Sequence, residues 1–177
     1  RETGIAVKDL QTNREIYHNK DKLFPSASLA KIPIMAACFC AAKEGRLKLE
    51  HQVALKDSDK FIGSGILKDT RPGATFTVEE LIGLMIYDSD NTATNILTNM
   101  VGIGYLNNSF KAFGLKNTEL SRKIADYKSR DAGLENYTTA EDMALILEKI
   151  YRRVLVNKDI SEKCIKLLKL QRISDRL

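Results

Sequence analysis

Phe24-Pro25-Ser26-Ala27-Ser28-Leu29-Ala30-Lys31-Ile32-Pro33-Ile34-Met35-Ala36-Ala37-Cys38-Phe39 is the stretch on which the reading of this chain turns. Pro33 has no N–H and would break a helix interior, yet it fits a first turn. The apolar run Ile34, Met35, Ala36, Ala37, Cys38, Phe39, Ala41 and Ala42 therefore predicts a helix that begins near Leu29 or Ala30. That places Ser28 at the N-cap and Lys31 one turn inward. A serine and a lysine three apart share a helix face, so the amine can sit against the hydroxyl. Serine is a weak nucleophile at its own pKa and needs an adjacent base. The positive end of the helix, with the Ser28 N–H, would suit a developing oxyanion. Taken alone, such a pair reads more often as a helix cap and a solvated cation. The rest of the chain decides between the two.

Upstream, Thr3 to Leu10 and Glu15 to His18 alternate as two strands joined by a turn around Gln11-Thr12-Asn13. A lone hairpin is marginal in water and needs more sheet. Little other strand signal is present. Downstream, Gly63-Ser64-Gly65 and Arg71-Pro72-Gly73 read as loop and turn. Thr77-Val78-Glu79-Glu80 has the form of a capping box, with Thr77 as N-cap and Glu80 reaching back. Its helix carries Leu81, Ile82, Leu84, Met85 and Ile86, apolar on nearly all sides and so expected to be buried. Tyr87-Asp88-Ser89-Asp90-Asn91 then favours a short turn, and Thr92 to Met100 resumes a helical pattern. A turn between two buried helices is a rigid mount for Ser89 and Asn91. Further helices are predicted over Leu106 to Phe113, ended by Gly114, over Ala140 to Arg152, capped by Thr139, and over Ile160 to Leu170.

With 177 residues, 44% of them hydrophobic, the chain is long enough for one globular core. Its net charge is +5, and residues 146 to 177, with nine Lys/Arg against four Asp/Glu, carry the whole excess. Those cations interleave with Ile160, Cys164, Leu167 and Leu168 at helical spacing, the solvated face of an amphipathic helix. Neither aromatic interleaving nor a nucleic-acid motif accompanies them, so no nucleic-acid partner is expected. Cys38 and Cys40 point to different sides of one helix and Cys164 is distant in sequence; no disulfide framework or metal spacing results. His18 and His51 read as surface residues. No apolar run is long enough to span a membrane.

The serine–lysine pair followed by Ser89-Asp90-Asn91 resembles the motif set of penicillin-recognising serine enzymes. Phe24 to Lys31 resembles the nucleophile segment of the class A β-lactamase and penicillin-binding-protein superfamily, and Thr77 to Leu97, with Leu81 and Asn95 in pattern, resembles its second motif. Glu135-Asn136-Tyr137-Thr138-Thr139-Ala140 resembles the segment that closes the family's Ω-loop. The resemblance implies an α+β fold of the β-lactamase/D,D-peptidase type, an antiparallel sheet packed against a mainly helical region. Residues 1–177 would form a single domain, with the strand hairpin in 1–24 and the motif-bearing helical region in 25–177. That domain would be incomplete, because the strands carrying the family's Lys-Thr-Gly or Lys-Ser-Gly are expected after Ser174-Asp175-Arg176-Leu177.

The function so implied is acylation of Ser28 by a β-lactam or a D-Ala-D-Ala-like amide, followed by hydrolysis. Lys31 takes the proton, Ser89 passes it to the leaving nitrogen, and Asn91 orients the substrate's side-chain amide. The family's deacylating glutamate would fall at Ile124, which cannot act as a base. Asp126, two residues on, is the candidate replacement, or it holds the loop by bonding Arg122 or Arg130. A slowly deacylating penicillin-binding sensor, a D,D-peptidase and a non-catalytic scaffold are the alternatives. The resemblance implies no cofactor, no metal, a small-molecule β-lactam or peptidoglycan-like peptide as partner, a monomer, and an extracytoplasmic (periplasmic or secreted) location.

Overall fold

Helix α1 (Lys31–Lys43) is apolar on every side, and Ile34, Met35, Ala36, Ala37 and Cys38 have no solvent exposure. A helix of that kind belongs at the centre of a fold. It is wrapped by α2 (Val78–Tyr87), α3 (Asn91–Val101), α4 (Ile103–Ala112) and α7 (Lys158–Leu168). The computed structural model describes residues 2–172. Met85, Leu97, Leu106 and Phe110 close the core around α1, each at most 0% exposed.

The start of α1 departs from expectation. A 3-10 turn, Ala27–Ala30, precedes it, so Ser28 lies inside that turn and Ala30 is the α1 N-cap. Pro33 has no N–H to give the Leu29 carbonyl, so the α ladder cannot begin earlier than the bond from Ile34 to Ala30. Upstream of that limit the chain winds with three-residue bonds, as in Lys31 N–H to Ser28 O.

The expected hairpin is present as β1 (Ile5–Lys8) and β2 (Glu15–His18), antiparallel, with Ile5 opposite His18 and Lys8 opposite Glu15. β1 is shorter than the predicted Thr3–Leu10 because the Asp9 carboxylate accepts the Gln11 and Thr12 N–H groups and starts the turn. The hairpin packs on α6 (Ala140–Tyr151). Two short antiparallel ladders are additions to the sequence reading: β3 (Phe24–Pro25) with β6 (Tyr137–Thr138), and β4 (Gln52–Ala54) with β5 (Thr75–Thr77). The first ties the segment leading into Ser28 to the end of the loop spanning residues 118–136. The short helix α5 (Tyr127–Asp131) lies within that loop. Among the described residues no helix is long and apolar enough to cross a membrane.

Candidate active site

Ser28 is exposed on its 3-10 turn, which is pinned by the Ser26 N–H to the Asn136 carbonyl at 2.7 Å. Ala27, just before it, has φ of 42°, a left-handed conformation that costs an alanine energy. Lys31, the first residue of α1, is only 2% exposed. Its Nζ lies 2.5 Å from the Ser89 carbonyl oxygen, 2.9 Å from Ser89 Oγ and 2.9 Å from Asn91 Oδ1. Ser89 Oγ is in turn 2.9 Å from Ser28 Oγ. The structure thus brings Ser28, Lys31, Ser89 and Asn91 into one cluster, with a buried amine joined to an exposed hydroxyl through a second hydroxyl.

Ser89 has φ of 52° and so, like Ala27 beside Ser28, is a left-handed non-glycine residue. Strained backbone persists where its surroundings over-determine it. Here the turn is gripped from its downstream side. Asp90 caps α3 by accepting the Ala93 N–H at 2.9 Å, and its other oxygen accepts the Leu67 N–H at 2.9 Å. A Cβ at Gly65, whose φ is 108°, would fall 2.1 Å from that carboxylate, so glycine alone fits there. Helix α3 begins at Asn91 rather than at Thr92, and Asn91 is its first residue instead of part of the turn. Its N–H reaches the Ser64 carbonyl at 3.1 Å and its Nδ2 the Ile62 carbonyl at 3.0 Å, while Thr92 Oγ1 accepts the Phe61 N–H. These bonds make residues 61–67 a wall of the cluster. The roles of Asp90 and Thr92 were missed in the sequence. An aspartate immediately before a helix is a capping signal that could have found the first of them.

The loop spanning 118–136 is held by side chains that chelate backbone. Asn95 bonds Ile124 through both N–H and C=O, at 3.0 and 2.8 Å, and Asn107 bonds Leu120 in the same manner. Arg122 pairs with Glu135 at 2.5 Å, largely out of solvent. Ile124 is 8% exposed. Asp126 does not pair with Arg122 or Arg130 as one reading anticipated. Its carboxylate caps α5, accepting Ser129 N–H at 3.1 Å and Ser129 Oγ–H at 2.7 Å, because a three-residue return to its own chain is shorter than any reach to an arginine. The Ser129 hydroxyl, then the Ser129 N–H, hold the Asp126 carboxyl below its ordinary value. Among the described residues, no group of three or more His, Cys, Asp or Glu side chains could hold a metal ion. The three cysteines are free and buried, and burial pushes the Cys38 thiol up to about 12.

The whole chain, residues 1–177, matches a family model described as the beta-lactamase enzyme family. A β-lactamase of Rhodobacter capsulatus is 29% identical over 72% of the chain and 45% of its own length. The CARB-3 β-lactamase of Pseudomonas aeruginosa is 27% identical over 83% of the chain and 51% of its own. The crystal structure of a β-lactamase from Sphaerobacter thermophilus superposes with a TM-score of 0.87 and 30% identity, covering 96% of this chain and 63% of that one. A mutant of PBP-A, solved as its acyl-enzyme complex with penicillin G, superposes with a TM-score of 0.86 and 27% identity, over 97% of this chain and 63% of that one. The chain spans about half the length of the curated relatives it matches and less than two thirds of these structures.

Proposed function

The chain belongs to the beta-lactamase enzyme family, and from that premise we propose that Ser28 is the nucleophile of a β-lactamase-type serine hydrolase, acylated by β-lactams or D-Ala-D-Ala-like amides. The observation that carries this reading is the relay from Lys31 Nζ through Ser89 Oγ to Ser28 Oγ, with 2.9 Å at each step. A hydroxyl both donates and accepts, so both bonds can reverse together. With Lys31 neutral, the Ser28 proton passes toward the amine as Oγ attacks the amide carbon. The C–N bond breaks as Ser89 returns a proton to the leaving nitrogen, and water later releases the acyl group. Asn91 Oδ1 and Nδ2 each spend one hydrogen bond within the protein, on Lys31 and on Ile62. One lone pair and one N–H remain to orient a substrate amide.

A second reading, acylation with slow hydrolysis as in a penicillin-binding sensor or D,D-peptidase, draws on Ile124. That residue stands where the deacylating carboxylate is expected, and Asp126 is committed to capping α5. We assign the protein a location outside the cytoplasm, where peptidoglycan and β-lactams are met. Mass spectrometry of the full-length protein after exposure to benzylpenicillin tests the first reading. A mass increase of one penicilloyl group is expected, absent in Ser28→Ala; an unchanged adduct in that variant would overturn it. Steady nitrocefin turnover then separates efficient hydrolysis from a single burst.

A further inference from the structure

We propose that Arg172 is a positioning residue for Ser89, acting by holding and neutralising the Asp88 carboxylate at the end of α2. The proposal rests on Ser89 being the proton carrier described above. A serine in the left-handed region does not hold that conformation unaided. Its downstream side is fixed by the Asp90 cap and the residue 61–67 wall. On the upstream side the backbone supplies little: the Asp88 and Asp90 N–H groups both lean on one acceptor, the Leu84 carbonyl, at 3.2 Å each.

Arg172 supplies the rest from beyond α7. Its N–H donates to the Tyr87 carbonyl at 3.0 Å. Its guanidinium lies 5.5 Å from the centroid of the Tyr87 ring, and Nη1 stands 3.5 Å from Asp88 Oδ1. The Tyr87 ring is itself seated over Gly83, where a Cβ would come within 2.9 Å of it. The Asp88 side chain is only 18% exposed, and its Oδ2 has no hydrogen-bond partner among the described residues. Arg172 forms the ion pair seen for Asp88 among those residues. Removing the guanidinium would leave a largely buried carboxylate uncompensated, one residue before Ser89. The chain there would turn to hydrate it, and Ser89 would turn with it. Truncation at Arg172 keeps the backbone bond to Tyr87, so the side chain's contribution can be isolated.

The experiment follows acylation of the full-length protein by benzylpenicillin at rising concentration, with thermal melts in parallel. Displacing Ser89 slows proton transfer without weakening encounter, so R172A should acylate about tenfold more slowly at saturation while its half-saturating concentration stays within about twofold. If Arg172 acts through Asp88, adding D88N to R172A should raise the saturated rate by about fivefold, because the charge that needed compensation has gone. A saturated rate in R172A equal to wild type, or no recovery in R172A/D88N, overturns the proposal. Should R172A fail to fold, R172Q carries the test: it removes the charge but keeps a side chain of similar reach over Tyr87, so its saturated rate should fall about tenfold and recover with D88N. A wild-type rate in R172Q, or no recovery there, overturns it equally. Labelling of a Ser28→Ala control would instead sink the assignment of the nucleophile, whatever Arg172 does.

Discussion

Lys31 is 2% exposed, and its amine meets the Ser89 carbonyl oxygen, Ser89 Oγ and Asn91 Oδ1. These contacts fix the end of a long, flexible side chain, as the proposed proton relay through Ser89 Oγ requires. Asp126 is held in a different way. Its depressed pKa, caused first by the Ser129 hydroxyl, favours the charged form that caps α5. The sign follows directly: a carboxylate whose folded pKa lies below its unfolded value stabilises the fold above the unfolded value and loses that contribution as pH falls through the folded one. Wild type should therefore melt above Asp126→Ala at pH 7, and the gap should narrow progressively as the pH falls below the ordinary carboxylate value of 3.8. Calorimetry at pH 7 and pH 3 checks this. If Asp126 only caps, nitrocefin turnover at pH 7 will match between the two proteins, whereas a carboxylate base would make the variant's turnover collapse.

The elements around the site are anchored by caps and clamps of very different weight. Thr77 accepts the Glu80 N–H while Glu80 bonds back to the Thr77 N–H, an exposed capping box. Thr77→Ala should cost about 1 kcal/mol in denaturant unfolding and leave acylation unchanged. Asn95 is 1% exposed and holds both backbone polar groups of Ile124, so Asn95→Ala strands two buried groups and should cost about 2–5 kcal/mol. Equal losses in the two variants would mean that the Ile124 backbone finds water instead. The same contrast explains what the sequence made legible. Thr77, Thr139 and the apolar run of α1 announce themselves locally, through spacing and a capping residue a few positions away. The β3–β6 and β4–β5 ladders do not, because two or three residues carry no period, and their pairing comes from distant segments. Ser28, Lys31, Ser89 and Asn91 could be named from short motifs. The wall that aims Asn91, built from the Ile62 and Ser64 carbonyls, uses backbone atoms that every residue type has and so leaves no sequence trace.

At the scale of the molecule, the helices enclose their own core while the hairpin leaves apolar side chains open. α1 is enclosed by the helices around it, but Val7 is 53% and Ile16 68% exposed on a two-stranded sheet that packs on α6. Solved relatives are longer, this chain covering 63% of them. A tetrahedral oxyanion in acyl transfer is stabilised by two donors, and the loss of one costs roughly 100- to 1000-fold in rate. Under the function proposed above, the Ser28 N–H would supply one, and the other would come from the part by which the solved relatives exceed residues 1–177. Residues 1–177 expressed alone should accordingly keep the helical signature in circular dichroism, yet form the penicilloyl adduct at least about 100-fold more slowly than the full-length protein. Labelling of the 177-residue chain at the full-length rate would show that Ser28, Lys31, Ser89 and Asn91 suffice, and that the helical half carries the whole acylation chemistry.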